Sequence, residues 1–306
     1  MIEGARQYRK WVMNTLLPQP ASLDPDWLDI QYNNRARIPE HPQLFARWAA
    51  DSAAARQALR CHVDLRYGDG PNETLDVFPS ARRNGHAAPV LLFIHGGWWR
   101  SLDKADHSFV APGFVRGGAL VVMPNYALAP AVSVATITLQ MVRALAWTWR
   151  HAARHGGDPD RITLVGHSAG GHLATMLLAC DWRAVAPDLP ADLVRRALSI
   201  SGLYELDPVR RTPFLKADLR LTTQAVARLS PARFAAPRGR TLYAAAGALE
   251  SEEFLRNNAL IRAAWGAEAV PVCETVPGFN HLDIVHSLAE PVGVLHARAW
   301  ELLQMP

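Results

Sequence analysis

A serine hydroxyl is a poor nucleophile unless it is held clear of the backbone beside a base, and one stretch of this chain is built to hold it so. From Arg161 to Ala174 the residues read Arg-Ile-Thr-Leu-Val-Gly-His-Ser-Ala-Gly-Gly-His-Leu-Ala. A β-branched and leucine run leads into a glycine-flanked serine and then into a helix-forming segment. Gly166 and Gly170 carry no Cβ, so strand and helix can close on each other while Ser168 stands on a strained turn between them. The helix beginning at Ala169 aims free backbone N–H groups at negative charge forming beside the serine. The chemistry this predicts is acyl transfer.

Such a serine needs a base, an acid that orients the base, and donors for the oxyanion. For this strand-turn-helix architecture the chain order is serine, acid, histidine. Pro277-Gly278-Phe279-Asn280-His281 follows the last apolar run, which makes His281 the expected base. His286 and His296 fall in the helix after it, too far along to return. Glu250, at the tip of the loop after Thr241–Ala246, is the expected acid, and Asp207, one strand earlier, is the runner-up. Asp283 is too close in sequence to His281 to orient it. Glu252 and Glu253 are expected to be solvated at the start of the next helix, where negative charge suits the dipole.

Donors are expected from His95-Gly96-Gly97-Trp98-Trp99-Arg100, where two glycines after an apolar run let the backbone fold back with its N–H groups free. The backbone N–H groups of Gly97 and Trp98, with that of Ala169, form the expected oxyanion hole, in which one donor is worth about 3 kcal/mol in a measured protease. The loop Pro124-Asn125-Tyr126-Ala127-Leu128-Ala129-Pro130 should support them, with Tyr126 beneath the glycines. Trp98, Trp99, Tyr204 and Phe279 fall near strand ends on the same face and are the expected substrate contacts, suited to a flat aromatic group.

The elements that must position these groups are legible as short apolar runs. Val90–Ile94, Leu120–Met123, Ile162–Val165, Ala197–Ser201, Thr241–Ala246 and Val270–Thr275 are separated by helix-length segments. Runs apolar on both faces, alternating with helices, predict a mostly parallel sheet covered on both sides, with the site beyond the carboxyl ends of its strands. Before them, Cys61–Tyr67 and Thr74–Phe78 flank a Gly-Asp-Gly-Pro-Asn turn and predict an antiparallel opening pair. Residues 1–60 read as helical pieces broken at Pro18, Pro20, Pro25, Pro39 and Pro42, an arm packed on the 61–306 domain. Its piece from Pro42 to Leu59 offers Leu44, Phe45, Trp48 and Leu59 as one apolar face. Only this arm and residues 203–237, a partial cap, remain to cover a pocket. That favours a small acyl group.

Composition bounds the alternatives. The chain has 306 residues, 49% hydrophobic, with a net charge of +4 and no basic block, which argues against nucleic-acid binding. Three widely spaced cysteines, Cys61, Cys180 and Cys273, form neither a metal-ligand pattern nor a disulfide framework, so a reduced, cytoplasmic protein is expected. Arg9 and Lys10 before Trp11–Pro18 imitate a signal peptide, but Glu3, Asn14 and Thr15 argue against one. No run approaches the ~20 apolar residues of a membrane span.

Taken together, His-Gly-Gly-Trp, the Tyr-x-Leu-Ala-Pro loop, Gly-His-Ser-Ala-Gly-Gly-His, Gly-x-x-Glu-Ser and the late histidine resemble the α/β-hydrolase superfamily. More narrowly, they are similar to kynurenine formamidase-like esterases, neighbours of the hormone-sensitive lipase group. The likeness runs from Cys61 to the C-terminus, and Gln31-Tyr32-Asn33-Asn34-Arg35 also resembles that subgroup's N-terminal arm. Trp98 stands where lipase relatives have a third glycine, as in formamidase-like members, and Glu250 where many relatives have aspartate. The resemblance implies an α/β-hydrolase fold and a serine hydrolase using no metal or organic cofactor. A short-chain or aryl carboxylesterase is the first reading and an arylformamidase the second; a catalytically silent binding protein of the same fold is a remote third. The expected partner is a small ester or formamide, and association as a homodimer is left open.

Overall fold

The computed structural model describes residues 17–82 and 86–305. The signal-like stretch around Arg9 and Lys10 therefore lies outside the described residues, apart from its last two positions.

Eight strands form one sheet: β1 His62–Arg66, β2 Thr74–Phe78, β3 Ala88–Ile94, β4 Leu120–Pro124, β5 Gly157–His167, β6 Arg196–Ile200, β7 Thr241–Gly247 and β8 Val272–Val276. Their order is β1-β2-β4-β3-β5-β6-β7-β8. The β1–β2 and β2–β4 pairs are antiparallel and every later pair is parallel, as the change from alternating to continuous apolar runs predicts. Period-2 geometry explains why those runs are apolar throughout. In β3, Val90, Leu92 and Ile94 enter the core on one side of the sheet, while Leu91 and Phe93 enter the core on the other. Leu120 and Val122 of β4 divide from Val121 and Met123 in the same way. Each such side chain contributes roughly 1.5–3 kcal/mol when fully buried, so a register slip would cost both layers at once.

The parallel register brings the strand ends into one rank. Ile94 is level with Gly166, His167 with Ile200, Ile200 with Ala245, and Gly247 with Val276. The loops after β3, β5, β6, β7 and β8 consequently leave the same edge of the sheet.

The N-terminal pieces are helices seated on this sheet. Pro25 and Pro42 do not break helices; each occupies a first turn, where the missing N–H costs nothing. Asp24 caps the helix Pro25–Tyr32 by accepting from the backbone N–H groups of Asp26 and Trp27 at 3.1 and 3.0 Å. That helix buries Leu28 and Tyr32 in the sheet's first core. The helix His41–Ala58 buries Trp48, Ser52 and Ala55; Leu44, Phe45 and Leu59 are only partly covered, so its buried stripe is narrower than expected. Helices Asp207–Arg211, Pro213–Leu219 and Thr223–Leu229 fill the 203–237 segment. Among the described residues, no helix is long and apolar enough to cross a membrane.

Two buried histidines give the fold a pH dependence. His107 Nδ1 lies 3.0 Å from the Asp103 carbonyl and His172 Nε2 lies 2.7 Å from the Leu229 carbonyl, while the other ring nitrogen of each has no partner among the described residues. A proton there would place an unpaired charge in the core, and burial holds His107 down to about 3 and His172 to about 4. In the unfolded chain both titrate near 6.5. Between that value and about 4 the unfolded state binds more protons, so stability is full above about pH 6.5 and declines as pH falls. Each histidine is expected to cost about 1–2 kcal/mol by pH 5. Urea midpoints at pH 7.5 and pH 5 check this; equal midpoints would mean that these rings are already charged or solvated in the folded protein.

Candidate functional site

Ser168 sits between β5 and the helix Ala169–Leu178 with φ 58° and ψ −119°, a conformation that a residue with a Cβ adopts only under constraint. The constraint is the close approach the glycines permit. A Cβ on Gly166 would lie 2.1 Å from the Gly170 carbonyl oxygen, and one on Gly170 would lie 2.0 Å from that of Ile94. Neither position can accept alanine without moving strand or helix.

His281 Nε2 lies 2.9 Å from Ser168 Oγ, and its Nδ1 lies 2.6 Å from Glu250 Oε2. The other carboxylate oxygen of Glu250 accepts from Gly247 N at 2.6 Å and from Ser201 Oγ at 2.5 Å. All three residues are buried, and Phe254 covers the imidazole with ring centroids 4.2 Å apart. Both Glu250 oxygens are thus committed as acceptors, which fixes Nδ1 as the protonated nitrogen and leaves Nε2 as acceptor toward Ser168. A serine, an imidazole and a carboxylate linked in this order can perform nucleophilic acyl transfer.

Asp207, the runner-up, is engaged elsewhere: it pairs with Arg210 at 2.7 Å and Arg211 at 2.8 Å. Burial would raise its carboxyl, but the hydrogen bonds from Arg211 and Arg210 outweigh burial and hold it below the usual range. Asp283 accepts from Asn280 N at 2.7 Å at the start of the next helix. His296 Nδ1 bonds the Leu288 carbonyl and His286 packs on Phe109, both away from Ser168. Glu253 is corrected from a solvated residue to a buried one: it accepts from Tyr32 Oη at 2.6 Å and pairs with Arg256 at 2.7 Å, tying the N-terminal arm to the helix Glu252–Ala269. Glu252 is exposed.

The glycine loop after β3 lies against Ser168. Gly97, Trp98 and Trp99 have φ of 104°, 55° and 55°, a run of left-handed residues that turns successive peptides. The backbone N–H groups of Gly97, Trp98 and Ala169 have no acceptor among the described residues. Support comes from Tyr126, whose hydroxyl lies 3.0 and 3.1 Å from the carbonyls of His95 and Gly96 and whose ring stacks on His95 at 4.3 Å. Ala129 N also donates to the Trp99 carbonyl at 2.8 Å.

Above Ser168 is a cavity of about 330 Å³. Gly97, Trp98, Ser168 and His281 line it from the sheet side, Phe214 and Asp218 from the 203–237 segment, and Asn33, Asn34, Arg35, Phe45 and Trp48 from the arm. Of the four expected substrate contacts only Trp98 is there. Trp99 is completely buried with its ring edge-on to His172, and Tyr204 is completely buried with its hydroxyl on Ser199 Oγ at 2.8 Å. Phe279 packs on the second core and offers the cavity no face. These three aromatics follow strand ends, as read from the sequence, but Trp99 and Tyr204 turn into the core and Phe279 lies partly buried against it. Ser201, which has φ 52° and holds Glu250, is the residue that sequence reasoning missed; its place directly after β6 was the available signal. The arm residues carried no such signal, because they precede every strand. Among the described residues, no cluster of three or more His, Cys, Asp or Glu is arranged to hold a metal ion.

The family model described as the alpha/beta hydrolase fold matches residues 91–249, slightly more than half the chain. The chain belongs to this hydrolase family. Over 222 residues the hydrolase is 31% identical to a kynurenine formamidase of Danio rerio, covering 70% of its own length and 72% of that protein. It is also 31% identical to the esterase LipQ of Mycobacterium tuberculosis over 180 residues, covering 55% of its own length and 39% of that protein. A solved structure from Silicibacter sp. TM1040, provisionally a thioesterase, superposes on the hydrolase with a TM-score of 0.76 at 30% identity, over 89% of this chain and 98% of the other.

Proposed function

We propose that this hydrolase cleaves small carboxylic esters through an acyl-enzyme formed on Ser168. The observation that carries the reading is the chain of hydrogen bonds Ser168–His281–Glu250 at the floor of the cavity. His281 Nε2 takes the proton as Ser168 Oγ attacks the carbonyl carbon, and Glu250 holds the tautomer and stabilises the imidazolium. The tetrahedral oxyanion is stabilised by the backbone N–H groups of Gly97, Trp98 and Ala169. As it collapses, His281 returns the proton to the leaving alcohol, and water repeats the sequence on the acyl-enzyme. The arm and the 203–237 segment wall the cavity, and with no larger insertion to shelter a long acyl chain a small acyl group is favoured.

Arylformamidase activity is the second reading. It is favoured by the likeness to a kynurenine formamidase over most of both chains and by the aromatic lining of Trp98, Phe45 and Phe214. The two are separated by kcat/KM on p-nitrophenyl acetate, p-nitrophenyl octanoate and N-formylkynurenine, with Ser168→Ala as blank. The ester reading expects acetate to exceed octanoate by at least tenfold and to exceed the formamide. A formamide preferred over both esters would exchange the two readings, and octanoate preferred over acetate would overturn the small-acyl assignment.

A further inference from the structure

We propose that the arm segment Asn33-Asn34-Arg35 is a clasp for an anionic group, most simply a carboxylate, carried by the substrate at the end remote from the bond being cleaved. The inference rests on the serine-hydrolase reading and adds the substrate's charge to it. All three residues line the cavity that contains Ser168. Asn34 is only 7% exposed, and its Nδ2 has no hydrogen-bond partner among the described residues. A buried amide left this way is disfavoured, and a ligand acceptor would satisfy it. Asn33 uses its Oδ1 to accept from Ala36 N at 3.2 Å, so the NH₂ is the group it has left to offer.

Arg35 stands over the Phe45 ring at 5.4 Å, and among the described residues no carboxylate is within ion-pair distance of it. The cavity's other guanidinium, Arg100, is neutralised by Asp218 and also donates to the Phe214 carbonyl at 2.9 Å. The arm's share of the lining therefore offers amide donors and one exposed guanidinium with no carboxylate partner among the described residues. Guanidinium and amide N–H groups on residues lining one cavity are matched by a group that only accepts, and an ionised carboxylate provides two such oxygens. The arm is held firmly enough to serve. Tyr32, directly before the segment, is fully buried, bonded to Glu253 and edge-on to Trp98 with ring centroids 5.6 Å apart.

The test uses matched substrates that differ by one carboxylate: phenyl acetate against 4-acetoxybenzoate for the leaving side, and p-nitrophenyl butyrate against mono-p-nitrophenyl succinate for the acyl side. The intact protein is expected to prefer the anionic member of at least one pair by tenfold or more in kcat/KM. Arg35→Ala should lower that ratio at least tenfold, and Arg35→Glu should invert it. A ratio near one in both pairs, or a ratio unmoved by Arg35→Glu, overturns the clasp. Calorimetric binding of benzoate and benzamide to Ser168→Ala protein gives a readout independent of turnover. Benzoate should bind more tightly, and Arg35→Ala should erase the difference; equal binding of the two overturns the proposal. Loss of the serine-hydrolase reading would show instead as turnover persisting in Ser168→Ala.

Discussion

Replacing Ser168 by alanine is expected to lower kcat/KM on any substrate the protein turns over by on the order of 10⁴- to 10⁶-fold, the scale found when the serine of a catalytic triad is deleted. What remains would come from the backbone donors and from binding. The fold should be unaffected, because the left-handed backbone at Ser168 is imposed by Gly166 and Gly170, and alanine keeps the same Cβ. Thermal midpoints of the two proteins should therefore agree within a few degrees. A fluorophosphonate should label the wild type on the peptide containing Ser168 and leave the variant unlabelled. Residual turnover within tenfold of wild type, or labelling elsewhere on the chain, would remove Ser168 as nucleophile.

Glu250→Gln is the second large effect, expected at about 10³- to 10⁴-fold, the scale of acid-to-amide replacement in a triad. Both carboxylate oxygens have duties as acceptors: one toward His281 Nδ1, the other toward Gly247 N and Ser201 Oγ. Glutamine supplies one acceptor and one donor. If its oxygen faces Gly247, its NH₂ meets His281 and forces the tautomer that points an N–H at Ser168. If it turns the other way, its NH₂ opposes the Gly247 N–H across a contact of 2.6 Å. Either orientation removes the base or distorts the loop. Asp207→Asn serves as the control and should stay within a few-fold of wild type, because the partners of Asp207 are Arg210 and Arg211. The reverse pattern would give the acid's role to Asp207.

Much of the site was legible because its parts are local. A strand, a glycine-flanked serine and a helix need only neighbours in the chain to define the turn at Ser168, and Gly96-Gly97 after β3 is another short-range signal. The aromatic contacts were not legible in the same way. Trp98 and Trp99 are adjacent and share a left-handed backbone, yet one side chain reaches the cavity and the other fills the core beside His172. Position after a strand places a residue's backbone at the active edge; which way its side chain turns depends on what packs against it.

What the sequence alone determined was the alternation of apolar runs with helices, the sheet those runs form and the glycine-flanked turn at Ser168, all of which follow from local period and turn chemistry. The tertiary structure decided which carboxylate meets the imidazole and which residues of the arm line the cavity. Glu250 reaches His281 because β7 and β8 are neighbours with Gly247 level with Val276, a register set by strand pairing rather than by either loop. The far wall is drawn from Asn33 to Arg35, more than 130 positions before Ser168. Contacts over that separation depend on Leu28 and Tyr32 being buried in the sheet's core, and no pattern within the arm itself encodes where it docks.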